Sequence, residues 1–210
     1  PGLSVYSHEM EHMKTEQDIY LFEETCRISH AYHLFSNHTL VYLYSGRLHL
    51  RNQCGEMLSI EQGDSAFIGR DSYSHLYAEP ELKVPCRMLF FSLPRQFLCE
   101  FYQTLDISVR KSTIEGFSVL HRLKPSPEIE SLFQSWVPYI QEKPAFSEAV
   151  LRLKMVEAVY ALLKADERYI STLFDFAGKC PMNMFDLLKE PRAKEIQWFD
   201  LSFEPRGKTN

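Results

Sequence analysis

The chain has no C-x-x-C pair, no dense lysine–arginine run and no signal-peptide pattern at its N-terminus. Each absence excludes something. Its five cysteines (Cys26, Cys54, Cys86, Cys99 and Cys180) are odd in number and widely spaced. They fit neither a disulfide framework nor a zinc knuckle, and are expected to be reduced thiols of a cytoplasmic protein. Lysine and arginine number 23 against 28 aspartates and glutamates, a net charge of −5. That balance argues against a chain whose main task is to grip phosphates, because a basic face drives nucleic-acid affinity. Apolar stretches such as MLFFSL (88–93) are far shorter than the roughly 20 residues that span a bilayer. No G-x-S-x-G elbow, P-loop or dinucleotide fingerprint occurs. His8 and His12 have i, i+4 spacing in HEMEH, which could hold a metal, but a segment of Met, Glu and His at the start of a chain is usually solvated.

What is present suits one well-buried core, or a barrel with a helical appendage: 210 residues, 45% hydrophobic and 24% charged. The 15 phenylalanines and 11 tyrosines favour a β-rich core or an aromatic-lined cavity. Short segments rich in β-branched, aromatic and leucine residues, punctuated by Gly, Asn, Asp or Pro, predict strands over 18–25, 39–46, 47–52, 56–63, 65–69 and 86–93. Such spacing predicts an antiparallel sandwich or barrel. Alternation puts Leu40, Tyr42 and Tyr44 on one face and Thr39, Val41 and Leu43 on the other. It sends His49 outward with Arg47 and Arg51.

The second half changes period. Phe97, Phe101 and Leu105 repeat at helical spacing over 94–105. A second helix is expected over 126–142, with Ser126 as its cap, proline next to it and a kink or split at Pro138. The strongest helix covers 147–166, and a shorter one covers 168–176. On the 147–166 helix, Leu151, Met155, Ala158, Val159 and Leu162 form one apolar stripe, and Leu153, Val156, Tyr160 and Leu163 a second. A helix apolar on two faces needs two covers, one of which is its own domain and the other a neighbouring helix or a second subunit. The chain thus divides into a tail (1–16), a barrel (17–93), a helical region (94–178) and an extension (179–210).

The stretch HTLVYLYSGRLHLRNQCGEMLSIEQGDSAFIGRDSYSHL (38–76), with its SG turn and later GD-x-x-F-I, resembles the cupin-like N-terminal domain of AraC-family transcription regulators. LFFSLPRQFLCEFYQTL, LRLKMVEAVYALLKAD and YISTLFDFAG are similar to the strand-to-helix passage and last helices of that domain. The resemblance implies an α+β fold, a small antiparallel barrel or sandwich of the double-stranded β-helix kind followed by a helical hairpin or bundle. It further implies small-molecule sensing and homodimerisation, with DNA contacted through a C-terminal region of about one hundred residues carrying two helix-turn-helix units. After Cys180 only 30 proline-broken residues follow, without that pattern, so the chain is expected to be an excised effector domain or a shortened relative.

Alternation then nominates a pocket lined by Leu40, Tyr42, Tyr44, Phe67, Leu89 and Phe91. His38 or His75 would supply polar handles, and Arg70 would meet an anionic group. The stripe Leu151, Met155, Ala158, Val159 and Leu162 is expected at the dimer interface. A metal-dependent cupin enzyme acting on a small polar substrate is the main alternative, and a ligand-free interaction domain a third. The enzyme is disfavoured because His30, His33 and His38 are spaced by three and five, not as His-x-His, and no Glu lies between Tyr42 and Arg51. His75 alone fits, so no catalytic residue, metal or cofactor is expected.

Overall fold

A computed structural model describes residues 19–24, 29–79, 84–106, 115–142, 147–175 and 199–200. The elements are β1 (Ile19–Glu24), β2 (Ser29–Phe35), β3 (His38–Ser45), β4 (Arg47–Asn52), β5 (Met57–Glu61), β6 (Ser65–Ile68), β7 (Ser72–Glu79) and β8 (Cys86–Leu93). They continue as α1 (Arg95–Thr104), β9 (Leu120–Arg122), α2 (Pro127–Gln134), α3 (Val137–Glu142), α4 (Glu148–Ala165), α5 (Tyr169–Leu173) and β10 (Phe199–Asp200). The strands form two antiparallel five-stranded sheets, ordered β1-β8-β3-β6-β9 (sheet A) and β10-β2-β7-β4-β5 (sheet B). The fold is therefore α+β, a cupin-like sandwich rather than a closed barrel.

The layering follows from which faces are apolar. Sheet A is apolar on both, since β3 and β8 bury alternate residues in opposite directions. Val41, Leu43, Ala66, Ile68, Met88 and Phe90 meet Leu48, Leu50, Ile60 and Leu76 of sheet B. Leu40, Tyr42, Phe67, Leu89 and Phe91 face the other way, into a second core shared with α1, α2, α4 and α5. An antiparallel sheet usually keeps one face wet; here helices cover it.

Local chemistry sets the boundaries. Ser126 accepts the Ile129 N–H at 3.2 Å with Pro127 beside it, and Ser147 accepts the Val150 N–H at 3.2 Å. The segment 126–142 splits into α2 and α3 at Ser135–Trp136, just ahead of Pro138. Gly46 joins β3 to β4 at φ +85°, and a Cβ there would lie 2.9 Å from Cys86 Cβ and Sγ, so the turn requires glycine. The Gly63-Asp64 pair is structural. Gly63 N–H donates to Leu43 O (2.8 Å), and Asp64 Oδ2 accepts the Glu61 N–H (2.9 Å) and an ion pair from Arg122. Arg122 also donates to Ser59 O (2.6 Å), stitching the edge of sheet A to the edge of sheet B and blunting both.

Three expectations are corrected. The stripe assigned to a dimer interface lies in the chain's own core: Met155, Ala158, Val159 and Leu162 are buried, and Leu151 packs partly buried against them. Of the second stripe, Leu153 (68% exposed) and Tyr160 (57%) face outward, while Val156 and Leu163 pack partly buried against the same core. The helical region (94–178) also contributes a strand, β9, to sheet A. And Cys99 is disulfide-bonded, whereas Cys54 and Cys86 are free thiols. The tail 1–16, with His8 and His12 (HEMEH fits the bare H-E-x-x-H pattern), and most of the extension 179–210 fall outside the described residues.

Candidate functional site

The nominated lining residues come together, but not where a barrel interior would put them. Leu40, Tyr42, Phe67, Leu89 and Phe91 share the face of sheet A beneath the helices, with Tyr44 packed against the same cluster. The space between the sheets is filled by the opposite set. Alternation identified the set; the helical layer decides which side is the interior.

Two polar groupings punctuate this aromatic layer. At one end, Tyr42 stacks on Phe133 of α2 (4.7 Å, 20°) and meets Tyr44 edge-on (4.8 Å). Its hydroxyl donates to the Glu130 carboxylate (3.3 Å) and accepts from Gln134 Nε2 (3.2 Å), while Tyr44 donates to Phe133 O (2.7 Å). Burial pushes both phenols up from their ordinary pKa, so they stay protonated donors. This grouping clamps α2 to β3.

At the other end stands His38, 4% exposed, its ring tilted over Phe67 at 5.3 Å. Its Nδ1 accepts the Arg70 backbone N–H at 3.2 Å, so the neutral ring carries its proton on Nε2. Burial, with the Arg70 charge second, lowers its pKa to about 3. Nε2 has no hydrogen-bond partner among the described residues. The Arg70 guanidinium, 17% exposed, reaches Asp175 just past α5 (Nη2–Oδ1 2.7 Å). Phe67 also stacks on His121 (5.1 Å), whose Nδ1–H donates to Ser118 O (2.8 Å) and whose Nε2 accepts from the Tyr169 hydroxyl (2.8 Å). Burial lowers the His121 pKa as well.

His75 does not join this site. It sits on β7 among the outward residues Tyr73, Tyr77 and Glu79, on the far face of sheet B from His38. The two histidines most suited to a cupin metal site are thus separated by the whole sandwich. His33 is buried edge-on against Phe35 (4.4 Å), and His49 bonds Ser59 (2.6 Å) on the outer face of sheet B with Arg47 and Arg51. Among the described residues, no three His, Cys, Asp or Glu side chains group as metal ligands would. Glu130, Gln134, His121, Tyr169 and Asp175 belong to the site without any local signal marking them. Each reaches it through a contact more than 45 residues away in sequence.

A cupin-like sandwich whose outer sheet face is sealed by helices, with aromatic and buried polar groups in the seam, defines a regulatory N-terminal domain of the AraC type. The ExsA N-terminal regulatory domain profile matches residues 38–171, and the chain belongs to that family. No curated protein sequence matches the chain. Among solved structures, an apo ToxT variant from Vibrio cholerae shares the fold, with a TM-score of 0.50 and 11% identity over 80% of this chain and 68% of that one. Wild-type Vibrio cholerae ToxT bound to an unsaturated fatty acid gives a TM-score of 0.47 and 12% identity over 71% of this chain. The chain spans 55% of the length of that protein. A DUF861-family protein from Thermotoga maritima matches 37% of the chain with a TM-score of 0.29 and 14% identity.

Proposed function

We propose that this regulatory domain senses a small, mainly apolar effector held between sheet A and its helical cover, and passes occupancy through the helices to the DNA-binding part of a transcription regulator. The observation that carries this reading is the composition of the seam. Leu40, Phe67, Leu89 and Phe91 form an apolar wall, and His38 offers a buried N–H with no acceptor among the described residues. A packed filler would need no such donor, because an unsatisfied buried polar group costs about 1–3 kcal/mol. In a Trp198→Phe chain, Trp136 is the one remaining indole, buried edge-on against Phe91 at 5.4 Å. Titration with octanol is expected to give a saturable change in its emission. Flat emission with an unchanged melting temperature overturns the reading.

The domain also dimerises, through the outward stripe of α4. Leu153 and Tyr160 stand one heptad apart on that face, flanked by the charged Arg152, Glu157 and Lys164. Sedimentation is expected to show a dimer that Leu153→Glu with Tyr160→Glu converts to a folded monomer. A wild type that stays monomeric at high concentration removes this part.

A further inference from the structure

We propose that the effector of the seam is a neutral molecule with a ketone-type oxygen on an apolar skeleton, and that His38 Nε2–H is the donor that selects it. This deepens, and rests on, the reading of the sheet–helix seam as a ligand site.

Strand β6 lies between β3 and β9, so Phe67 has an imidazole on each side: His38 tilted at 5.3 Å and His121 stacked at 5.1 Å. The two rings differ in what they satisfy. His121 uses both nitrogens, donating from Nδ1–H to Ser118 O (2.8 Å) and accepting at Nε2 from the Tyr169 hydroxyl (2.8 Å). His38 uses one. Its Nδ1 accepts the Arg70 backbone N–H (3.2 Å), and its Nε2 has no hydrogen-bond partner among the described residues. The ring is 4% exposed, so this donor is withdrawn from bulk water. Nor does the Phe67 ring accept it: an in-plane N–H aimed at an aromatic face needs rings close to perpendicular, and these are 32° apart.

The turn after β6 fixes which nitrogen of His38 is the donor. Gly69 N–H donates to Val119 O (2.6 Å) and Ser72 Oγ donates to Gly69 O (2.5 Å), which holds the Arg70 N–H on His38 Nδ1. With Nδ1 kept as an acceptor, the neutral ring carries its proton on Nε2. The chain thus pins the tautomer and supplies nothing for the proton it exposes to the seam.

The ligand class follows from what that leaves to be matched. A carboxylate needs a cation of its own, because a buried unpaired charge is costly. The Arg70 guanidinium already serves Asp175 (2.7 Å) and lies 3.9 Å from Asp71. A cation would meet a donor, and the acceptor nitrogen of the ring is taken. A hydroxyl would accept from Nε2–H but bring a donor of its own among Leu40, Phe67, Leu89 and Phe91. A ketone oxygen accepts and donates nothing, so one bond satisfies both partners. The same four side chains suit its apolar remainder.

The test uses the full-length Trp198→Phe chain, read through Trp136, with methyl hexyl ketone as the probe. Its shape-matched control is the alkene in which a CH2 group replaces the oxygen. His38→Asn keeps an amide oxygen near the Nδ1 position for the Arg70 N–H and has nothing at Nε2, whereas His38→Gln retains a donor there. In His38→Asn the ketone is expected to bind about threefold to tenfold weaker, the range of one neutral hydrogen bond, and the alkene no weaker. In His38→Gln the ketone should recover most of its affinity. The infrared carbonyl stretch of the bound ketone should lie below its value in hexane, and return to that value in His38→Asn. Ketone affinity indifferent to His38→Asn, or a bound stretch already at the hexane value, overturns the proposal. Octanoate binding more tightly than the ketone at neutral pH overturns the neutral class. In each of these cases, saturable binding of the alkene leaves the ligand seam standing. Absence of binding by ketone, alkene and octanol alike sinks the seam reading itself. Should His38→Asn fail to fold, the carbonyl stretch in the chain that retains His38 decides alone.

Discussion

The two faces of sheet A are made by alternate residues of the same strands, yet they are chemically unlike. The face turned to sheet B is aliphatic with one phenylalanine: Val41, Leu43, Ala66, Ile68, Met88 and Phe90. The face turned to the helices carries Tyr42, Phe67, Phe91 and His38, and the Tyr42 hydroxyl bonds across to the Glu130 carboxylate and the Gln134 amide of α2. The first face is held by dispersion and water exclusion, which need close packing and nothing else. The second adds directional bonds between elements that are separate in sequence, and such bonds can be exchanged for bonds to something else. The difference teaches that the sandwich is the scaffold and the seam is where a signal enters.

The sharpest way to break that comparison is to truncate one residue on each face. Phe90→Ala, on the sandwich face, is expected to cost about 3–5 kcal/mol, because a cavity opens between sheets that cannot close on it. Tyr42→Phe, on the helical face, keeps the ring on Phe133 and removes only the hydroxyl shared with Glu130 and Gln134. Its cost is expected near about 1 kcal/mol, since those two side chains can turn to water. Urea unfolding of both variants checks this. Equal costs would mean that the polar clamp is as structural as the core, and the division of labour would fall.

The same division explains what was legible in the sequence. Strands β3, β4, β5, β6 and β8 and the caps at Ser126 and Ser147 follow from local alternation and capping chemistry, and the structure places them within a residue or two. β7 escaped because its pattern is inverted: the small Ser72, Ser74 and Ala78 point inward with Leu76, and Tyr73, His75 and Tyr77 point out. β9 is three residues long and exists by pairing with β6, more than 50 residues earlier. Faces were harder still. Periodicity separates Leu40 from Val41, and Leu151 from Leu153, but when both faces of an element are apolar it cannot say which cover comes from where. Periodicity alone therefore leaves open which side of sheet A is the lined one, and whether the Leu151 stripe of α4 meets its own domain or a partner.

A smaller effect sharpens the contrast through pH. His38 in the seam and His33 in β2 are both held neutral by burial, with pKa values lowered to about 3 and about 4. Above pH 6.5 these rings are neutral folded or unfolded, and neither affects stability. Below it the unfolded chain binds protons that the folded chain refuses. Stability therefore falls with falling pH, by about 1.4 kcal/mol per pH unit for each histidine, until the folded pKa is reached. The window runs from about pH 6 down to about pH 4, where His33 levels off before His38. His38→Gln keeps an acceptor for the Arg70 N–H and a donor in place of Nε2–H, but does not titrate. Its stability is expected to fall with one proton's less slope across that window when unfolding is followed in urea at successive pH values. An unchanged slope would mean that His38 takes up its proton normally in the folded chain. The seam would then be open to water even without a ligand, and the contrast between a sealed scaffold and a sealed but exchangeable seam would have to be drawn elsewhere.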